Sequence, residues 1–261
     1  MTNHDLKVAL CQADLHWEDC RANLKKFSKK IDAIKTDVDL IVLPEMFASG
    51  FTLNPETVAE SMNGEAVTWM REQAETNRAC IVGSLVIKED NSYYNRLIWA
   101  KPDGSLLHYD KKHLFSLAGE HLKYSPGNEK LIVDIQGWRI SSYICFDLRF
   151  PVWCRNDKNR PYDIALFVAS WPEARSKHWK VLLKARAIEN QSYIIGLNRV
   201  GKDGNNISYS GDMQIIDALG VVQCHLAYQE ATQIWKFSKS SLQAIRENFA
   251  FLKEADDFIL K

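Results

Sequence analysis

The chain has 261 residues, 46% of them hydrophobic, enough to bury a substantial core in one large α/β domain or two small ones. Its 33 basic and 33 acidic side chains balance, which gives no reason to expect nucleic acid or an anionic membrane as a partner. No apolar run approaches the roughly 20 residues that span a bilayer, and the polar start MTNHDLKVALCQ lacks the long apolar stretch and cleavage site of a secretory signal.

Taken in chain order, residues 7–12 (KVALCQ) read as a first strand, and 19–35 carry Leu24, Phe27, Ile31 and Ile34 at helical spacing. DLIVL at 39–43 is a short apolar run stopped by Pro44, as expected of a buried strand. A helix is expected over 65–77 and a strand over 79–87. Residues 95–110 read as a hairpin, with NRLIWA and SLLHYD flanking the turn KPDG. Strands follow near 131–135, 138–145 and 163–169, then a helix over 176–190 with Trp179, Leu182, Leu183, Ala187 and Ile188 on one side, leading into SYIIGLN. Strands near 209–217, 221–227 and 232–237, broken at Gly220, precede a terminal helix over 239–249. No internal repeat or Pro/Gly/Ser-rich linker divides the chain. The expectation is one domain over 1–238 with a helical tail, 239–261, packing on the domain or on a partner subunit. Because strands alternate with helices and hairpins intervene, the fold class is α/β with mixed sheets packed together and helices outside.

Six cysteines (Cys11, Cys20, Cys80, Cys145, Cys154 and Cys224) are scattered without a CxxC, which argues against a disulfide framework or a zinc knuckle. No HExxH or comparable ligand spacing appears, so no metal and no cofactor is invoked. The expected setting is a reduced, cytoplasmic one.

Three places put a polar residue at the end of an apolar strand, where ligands commonly bind. LIVLPEMF places Glu45 just past residues 39–43; it is either a solvated loop glutamate or a carboxylate whose burial makes it a general base. HYDKKHLF ends the hairpin with Lys111 and Lys112, which alternation points in opposite directions. SSYICFDLRFP carries Cys145 at a strand-to-helix corner, where the amide N–H groups that follow point toward an anion. A free cysteine is often only a small buried hydrophobe. Together, however, the three strand ends bring a base, a cation and a nucleophile, which is what amide hydrolysis by a thiol requires.

On LPEMF, DKKHLF and CFDLRFP, in that order, the chain resembles the nitrilase superfamily of carbon–nitrogen hydrolases; GEHLKYSPG, ASWPEARSKHW and KARAIENQSYIIGLNRVG extend the likeness along nearly the whole sequence. The resemblance selects Lys111 over Lys112 and adds Glu120 as a second active-site glutamate. It implies a four-layer α-β-β-α sandwich forming a homodimer or larger homo-oligomer. CFDLRFPVW and SWPEARSKHW are most similar to the omega-amidase branch, which implies hydrolysis of the terminal amide of 2-oxoglutaramate or 2-oxosuccinamate. The same triad would serve an N-carbamoyl amino acid hydrolase or another aliphatic amidase. A non-catalytic scaffold would have no need for all three residues.

In this scheme Glu45 takes the Cys145 proton, Lys111 and the Phe146 N–H receive the oxyanion, and a water oriented by Glu120 releases the acid. Reference pKa values near 4.3 for glutamate and about 8.5 for cysteine set about 6 kcal/mol against the proton transfer, so the thiolate is expected to form only as attack proceeds. Arg175 either meets a substrate carboxylate with its planar fork or simply starts a helix at the surface. Trp171, Phe115 and Phe51 either wall the pocket or belong to the core. Arg149 and Asp147 are expected to pair or to cap the corner, and His113 to organise the lysine loop.

Overall fold

In the computed structural model, which describes residues 4–258, the strand-like runs assemble into two six-stranded sheets and one two-stranded ribbon. The first half supplies β1 (Leu6–Gln12), α1 (Cys20–Asp32), β2 (Leu40–Val42), α2 (Pro55–Val58), α3 (Glu65–Asn77), β3 (Cys80–Glu89), β4 (Ser92–Ala100) and β5 (Leu106–Asp110). The second half supplies β6 (Ile132–Ile135), β7 (Trp138–Ile144), β8 (Ile164–Ala169), α4 (Ser176–Asn190), β9 (Tyr193–Asn198), β10 (Val200–Lys202), β11 (Ser208–Ser210), β12 (Met213–Ile216), β13 (Val222–Leu226), β14 (Ala231–Phe237) and α5 (Lys239–Asn248).

One sheet has the order β14-β1-β2-β3-β4-β5 and the other β13-β12-β9-β8-β7-β6. Followed from the β14 edge and from the β6 edge, both run antiparallel, parallel, parallel, antiparallel, antiparallel. Each parallel trio therefore sits inside its sheet, where helices or the other sheet must cover both faces. Side-chain alternation does this sorting. Val8, Leu10, Val42, Val82, Leu97 and Trp99 share a core with the second sheet. Ala9, Ile41, Ile81 and Ile98 face the other way, onto Phe27 and Ile31 of α1 and Val67 and Met70 of α3. On the far side α4 lays Trp179, Leu183 and Ala187 against the second sheet. It comes so close at Gly196 that a Cβ there would lie 2.4 Å from Leu183 Cδ1. The result is the expected α-β-β-α sandwich with mixed sheets.

Local chemistry sets the helix starts. Asp19 accepts from Ala22 N at 3.0 Å and so caps α1. The Glu60 carboxylate accepts from Ala66 N and Val67 N, at 2.9 Å each, amides that the first turn of α3 leaves free. Helix α5 docks by burying Leu242 and by placing Arg246 on the Tyr162 carbonyl (2.6 Å) and the Asp163 carboxylate (3.2 Å). Residues 259–261 of the expected tail lie outside the described residues.

Several boundaries differ from the sequence reading. The strand expected over 79–87 continues to Glu89 and turns straight into β4, so the hairpin has three strands. The run 209–217 splits because Gly211 (φ 73°) and Asp212 (φ 56°) bend the chain out of the β10–β11 ribbon before β12 begins. Helix α1 stops at Asp32 rather than residue 35, and the short α2 and β10 were not anticipated.

Candidate active site

Four loops meet where the strands of the two sheets end. Glu45 follows β2, Lys111 follows β5, Cys145 follows β7 and Ser170 follows β8. Pro44, which has no N–H to give, ends pairing after β2. The turn beyond it is held by Ser84 of β3, whose Oγ accepts from Met46 N at 2.8 Å and whose carbonyl accepts from Phe47 N at 3.1 Å. Glu45 is thereby fully buried rather than solvated.

Its carboxylate is surrounded by donors. Oε1 accepts from Lys111 Nζ at 2.9 Å and from Asn95 Nδ2 at 2.8 Å, and Oε2 accepts from Ser170 N at 2.7 Å. A carboxylate has about four lone-pair sites, so one remains, on Oε2. Lys111 Nζ also lies 3.0 Å from each oxygen of Glu120, which accepts in addition from Phe115 N at 2.5 Å. Lys111 and Glu120 are as buried as Glu45. Lys112 lies instead over the Trp153 ring, 5.4 Å from its centroid.

The electrostatics follow from one cation between two acids. Burial works against the charge on Lys111, but Glu120 and Glu45 overcome it and hold the ammonium above its ordinary range. Burial raises the pKa of Glu120, Lys111 lowers it, and Glu45 raises it again; the net direction is up. The Cys145 thiol is pushed well above its ordinary range by burial and then by Glu45, with Lys111 opposing. At neutral pH the sulfur rests as a thiol.

Cys145 opens a 3-10 turn, Cys145–Arg149, with φ 44°, a left-handed conformation that a residue with a Cβ seldom adopts. Asp147 pins this corner. Its Oδ2 accepts from Tyr109 OH at 2.7 Å and Ile144 N at 3.0 Å; its Oδ1 accepts from His113 N at 2.9 Å and contacts His113 Nδ1 at 2.8 Å. The His113 ring stacks on Phe150 at 3.7 Å. One carboxylate thus ties the nucleophile's turn to the loop that carries Lys111. Asp147→Ala should destabilise the protein by at least about 3 kcal/mol, because several buried donors lose their acceptor at once. A urea titration monitored by Trp fluorescence checks this; a loss under 1 kcal/mol would show that the clamp is dispensable.

Cys145 lines a pocket with room for about 80 Å³. Phe51, Phe115, Trp171 and Arg175 line it, together with the Phe146 ring and Arg149. The expected pairing of Arg149 with Asp147 does not form, because Asp147 is fully engaged by Tyr109, His113 and Ile144. Arg149 lies instead over Trp171, 4.8 Å from the ring centroid, with Nη2 3.1 Å from His178 Nδ1. Arg175 lies over Phe115 at 5.2 Å. Among the described residues neither guanidinium has a carboxylate within 4.0 Å. Burial, then the charge of Arg175, makes Arg149 less basic than a free arginine.

Sequence reasoning missed Asn95, Ser170, Asn198 and the pocket role of Arg149. Asn198 accepts from Trp171 N at 2.7 Å and donates to Trp171 O at 2.9 Å, which fixes the loop between Trp171 and Arg175 at its base. Ser170 and Asn198 were within reach of the strand-end rule that found Glu45, since they end DIALFVA and SYIIGL.

Comparison with known proteins bears on this site. The sequence profile of the carbon–nitrogen hydrolase family matches residues 7–247. The chain is 45% identical over 262 residues to an omega-amidase, YafV, of Yersinia enterocolitica, covering 98% of each chain. It is 34% identical over 218 residues to a 2-oxoglutaramate amidase of Bacillus subtilis, covering 82% of this chain and 84% of that one. Among solved structures, XC1258 of Xanthomonas campestris, a CN-hydrolase superfamily protein with an arsenic adduct in its active site, superposes with a TM-score of 0.97 at 42% identity, covering 99% of this chain and 100% of that one.

Proposed function

Because the chain belongs to the carbon–nitrogen hydrolase family, we propose that it is an omega-amidase. It hydrolyses the terminal amide of a short 2-oxo dicarboxylic acid monoamide, 2-oxoglutaramate or 2-oxosuccinamate, through a thioester on Cys145. The observation that carries this reading is the pairing of a Glu45–Lys111–Glu120 cluster beside the thiol with two arginines, free of carboxylate partners among the described residues, on the same pocket.

The free lone pair of Glu45 Oε2 takes the thiol proton as sulfur attacks the amide carbon. The carbonyl oxygen becomes an oxyanion. Two N–H groups of Lys111 suffice for the two glutamates if one straddles both oxygens of Glu120, leaving the third for the oxyanion. The Phe146 amide is the other donor, since the first amides of a helical turn have no partner within it. Each well-placed donor is worth on the order of 3 kcal/mol. Glu45 returns its proton to the amide nitrogen, the C–N bond breaks, and ammonia leaves the thioester behind. A water then gives its proton to Glu45 and attacks the thioester, with Glu120 fixing Lys111 and Glu45 in place. Collapse expels the sulfur, which recovers the proton from Glu45. The sum is amide plus water to acid plus ammonia.

Arg149 and Arg175 receive the carboxylate at the far end of the substrate. Replacing either with Ala should lower kcat/KM for 2-oxoglutaramate by about 10- to 100-fold, mainly through KM, and leave a neutral amide such as propionamide nearly unaffected. An equal loss on both substrates would remove the arginines from recognition. The assignment as a whole is tested by ammonia release from 2-oxoglutaramate, an N-carbamoyl amino acid and a simple nitrile. Turnover of the carbamoyl compound with 2-oxoglutaramate inert would overturn it.

A further inference from the structure

The side chain of Asn95 is fully buried between the two glutamates. Nδ2 donates to Glu45 Oε1 at 2.8 Å and reaches Glu120 Oε1 at 3.4 Å. Oδ1 is buried and, among the described residues, has no hydrogen-bond partner. We propose that Asn95 is a positioning residue for the hydrolysis, a neutral bridge that couples Glu45 to Glu120 and keeps Glu45 aimed at the Cys145 thiol. The inference rests on Glu45 being the base.

The position invites a hydrophobe. Asn95 shares its face of β4 with Leu97 and Trp99, both of which point into the core between the sheets. An asparagine there leaves its carbonyl oxygen unpaired, at a cost of about 1–3 kcal/mol, and buried polar atoms left in this state call for a functional explanation. The amide orientation is dictated by its neighbours: turned over, Oδ1 would face two carboxylate oxygens. Asn95 acts through its main chain as well, because its carbonyl accepts from Lys111 N at 3.0 Å. One residue of β4 therefore holds the cation's backbone and the base's side chain together.

The groups that face the acid pair are few. Lys111 and the Cys145 thiol face it directly, Tyr124 packs beside Glu120, and Tyr209 lies on the Glu45 side. Both phenols stay neutral: burial holds them above their ordinary range, and each donates its O–H, Tyr124 to the Thr52 carbonyl and Tyr209 to Asp203. Without Asn95, Glu45 keeps two of its three donors, Lys111 and Ser170 N. A carboxylate that loses a hydrogen-bond donor is less favoured in its charged form, so removing Asn95 should move the acidic limb of the pH–rate profile to higher pH.

The test compares the full-length protein with Asn95→Leu and with the nearly isosteric Asn95→Asp. The first readout is the pH dependence of kcat/KM for ammonia release from 2-oxoglutaramate. The second is the pH dependence of Cys145 alkylation by iodoacetamide, with the labelled cysteine identified by peptide mass. Thermal unfolding verifies that each variant is folded. The acidic limb should rise by about one pH unit in Asn95→Leu and further in Asn95→Asp, where a third carboxylate joins the cluster. The kcat should fall by more than about 10-fold with KM within about 3-fold. A residue that only fills space would leave the limb in place, and a limb within about 0.3 unit of the parent in a folded variant overturns the proposal. If Asn95→Leu does not fold, Asn95→Ala, which likewise removes the amide and adds no charge, carries the test with the same readouts. Alkylation does not depend on which amide is the substrate. A parent protein that never labels at Cys145 would therefore sink the reading of the site, while a Cys145 limb indifferent to Asn95 would sink this inference only.

Discussion

Cys145→Ala should release no measurable ammonia, a loss of at least about 10⁴-fold, because every later step needs the acyl group on sulfur. The fold should survive, since the Asp147 carboxylate, not the thiol, holds the corner through Tyr109 and Ile144 N. A companion variant sharpens the result. At φ 44° a Cβ is strained, and glycine is not. Cys145→Gly should be equally inactive yet more stable than Cys145→Ala by roughly 1 kcal/mol. Urea denaturation of the two dead variants reads this directly. A glycine variant no more stable than the alanine one would mean that the turn carries no strain, and residual activity in either would remove the nucleophile.

Lys111→Met should lose both activity and stability. The ammonium contacts two buried carboxylates, and removing one partner of a buried ion pair costs about 3–5 kcal/mol. The activity loss should reach at least about 100-fold, the scale of a lost oxyanion donor. The stability loss should also depend on pH in a definite direction. Burial already holds Glu120 above the ordinary carboxylate range, and without Lys111 to oppose it the Glu120 carboxyl rises further. A carboxyl whose folded pKa exceeds its unfolded one binds more protons folded than unfolded. Its contribution to stability is therefore complete below the unfolded value and is lost as the pH rises through the folded one. Lys111→Met should thus lie nearer to the parent at pH 5 than at pH 8. Urea unfolding at the two values decides the matter, and a penalty independent of pH would mean that the acids find another cation.

The reactive residues were legible because each interrupts an apolar strand at its end. Glu45 follows DLIVL, Lys111 follows the hairpin and Cys145 follows SSYI, and such positions need no knowledge of tertiary contacts. Asn95 was equally open to view, since NRLIWA puts it on the face of Leu97 and Trp99; within a strand, though, one asparagine carries no mark of what stands across from it. Arg149 misled by proximity. Asp147 lies two positions away, but its partners Tyr109 and His113 are 38 and 34 residues distant, and no local pattern announces them. The same limit hid the sheet edges. The pairing of β1 with β14 joins residues 6–12 to 231–237, and only the folded chain brings them together.

That β1–β14 ladder has a consequence for how the molecule is made. The β1 edge of the sheet that carries Glu45 and Lys111 stays unpaired until residues 231–237 emerge. Unpaired strand edges template association with other chains, so the growing polypeptide runs this risk until β14 has been made. Glu45 and Lys111 are translated before Cys145, but they follow strands of one sheet and the thiol a strand of the other, with Ser170 N reaching across to Glu45. A nascent chain can carry the thiol without the apparatus to use it, and hydrolytic competence arrives only once the sheets have closed on one another.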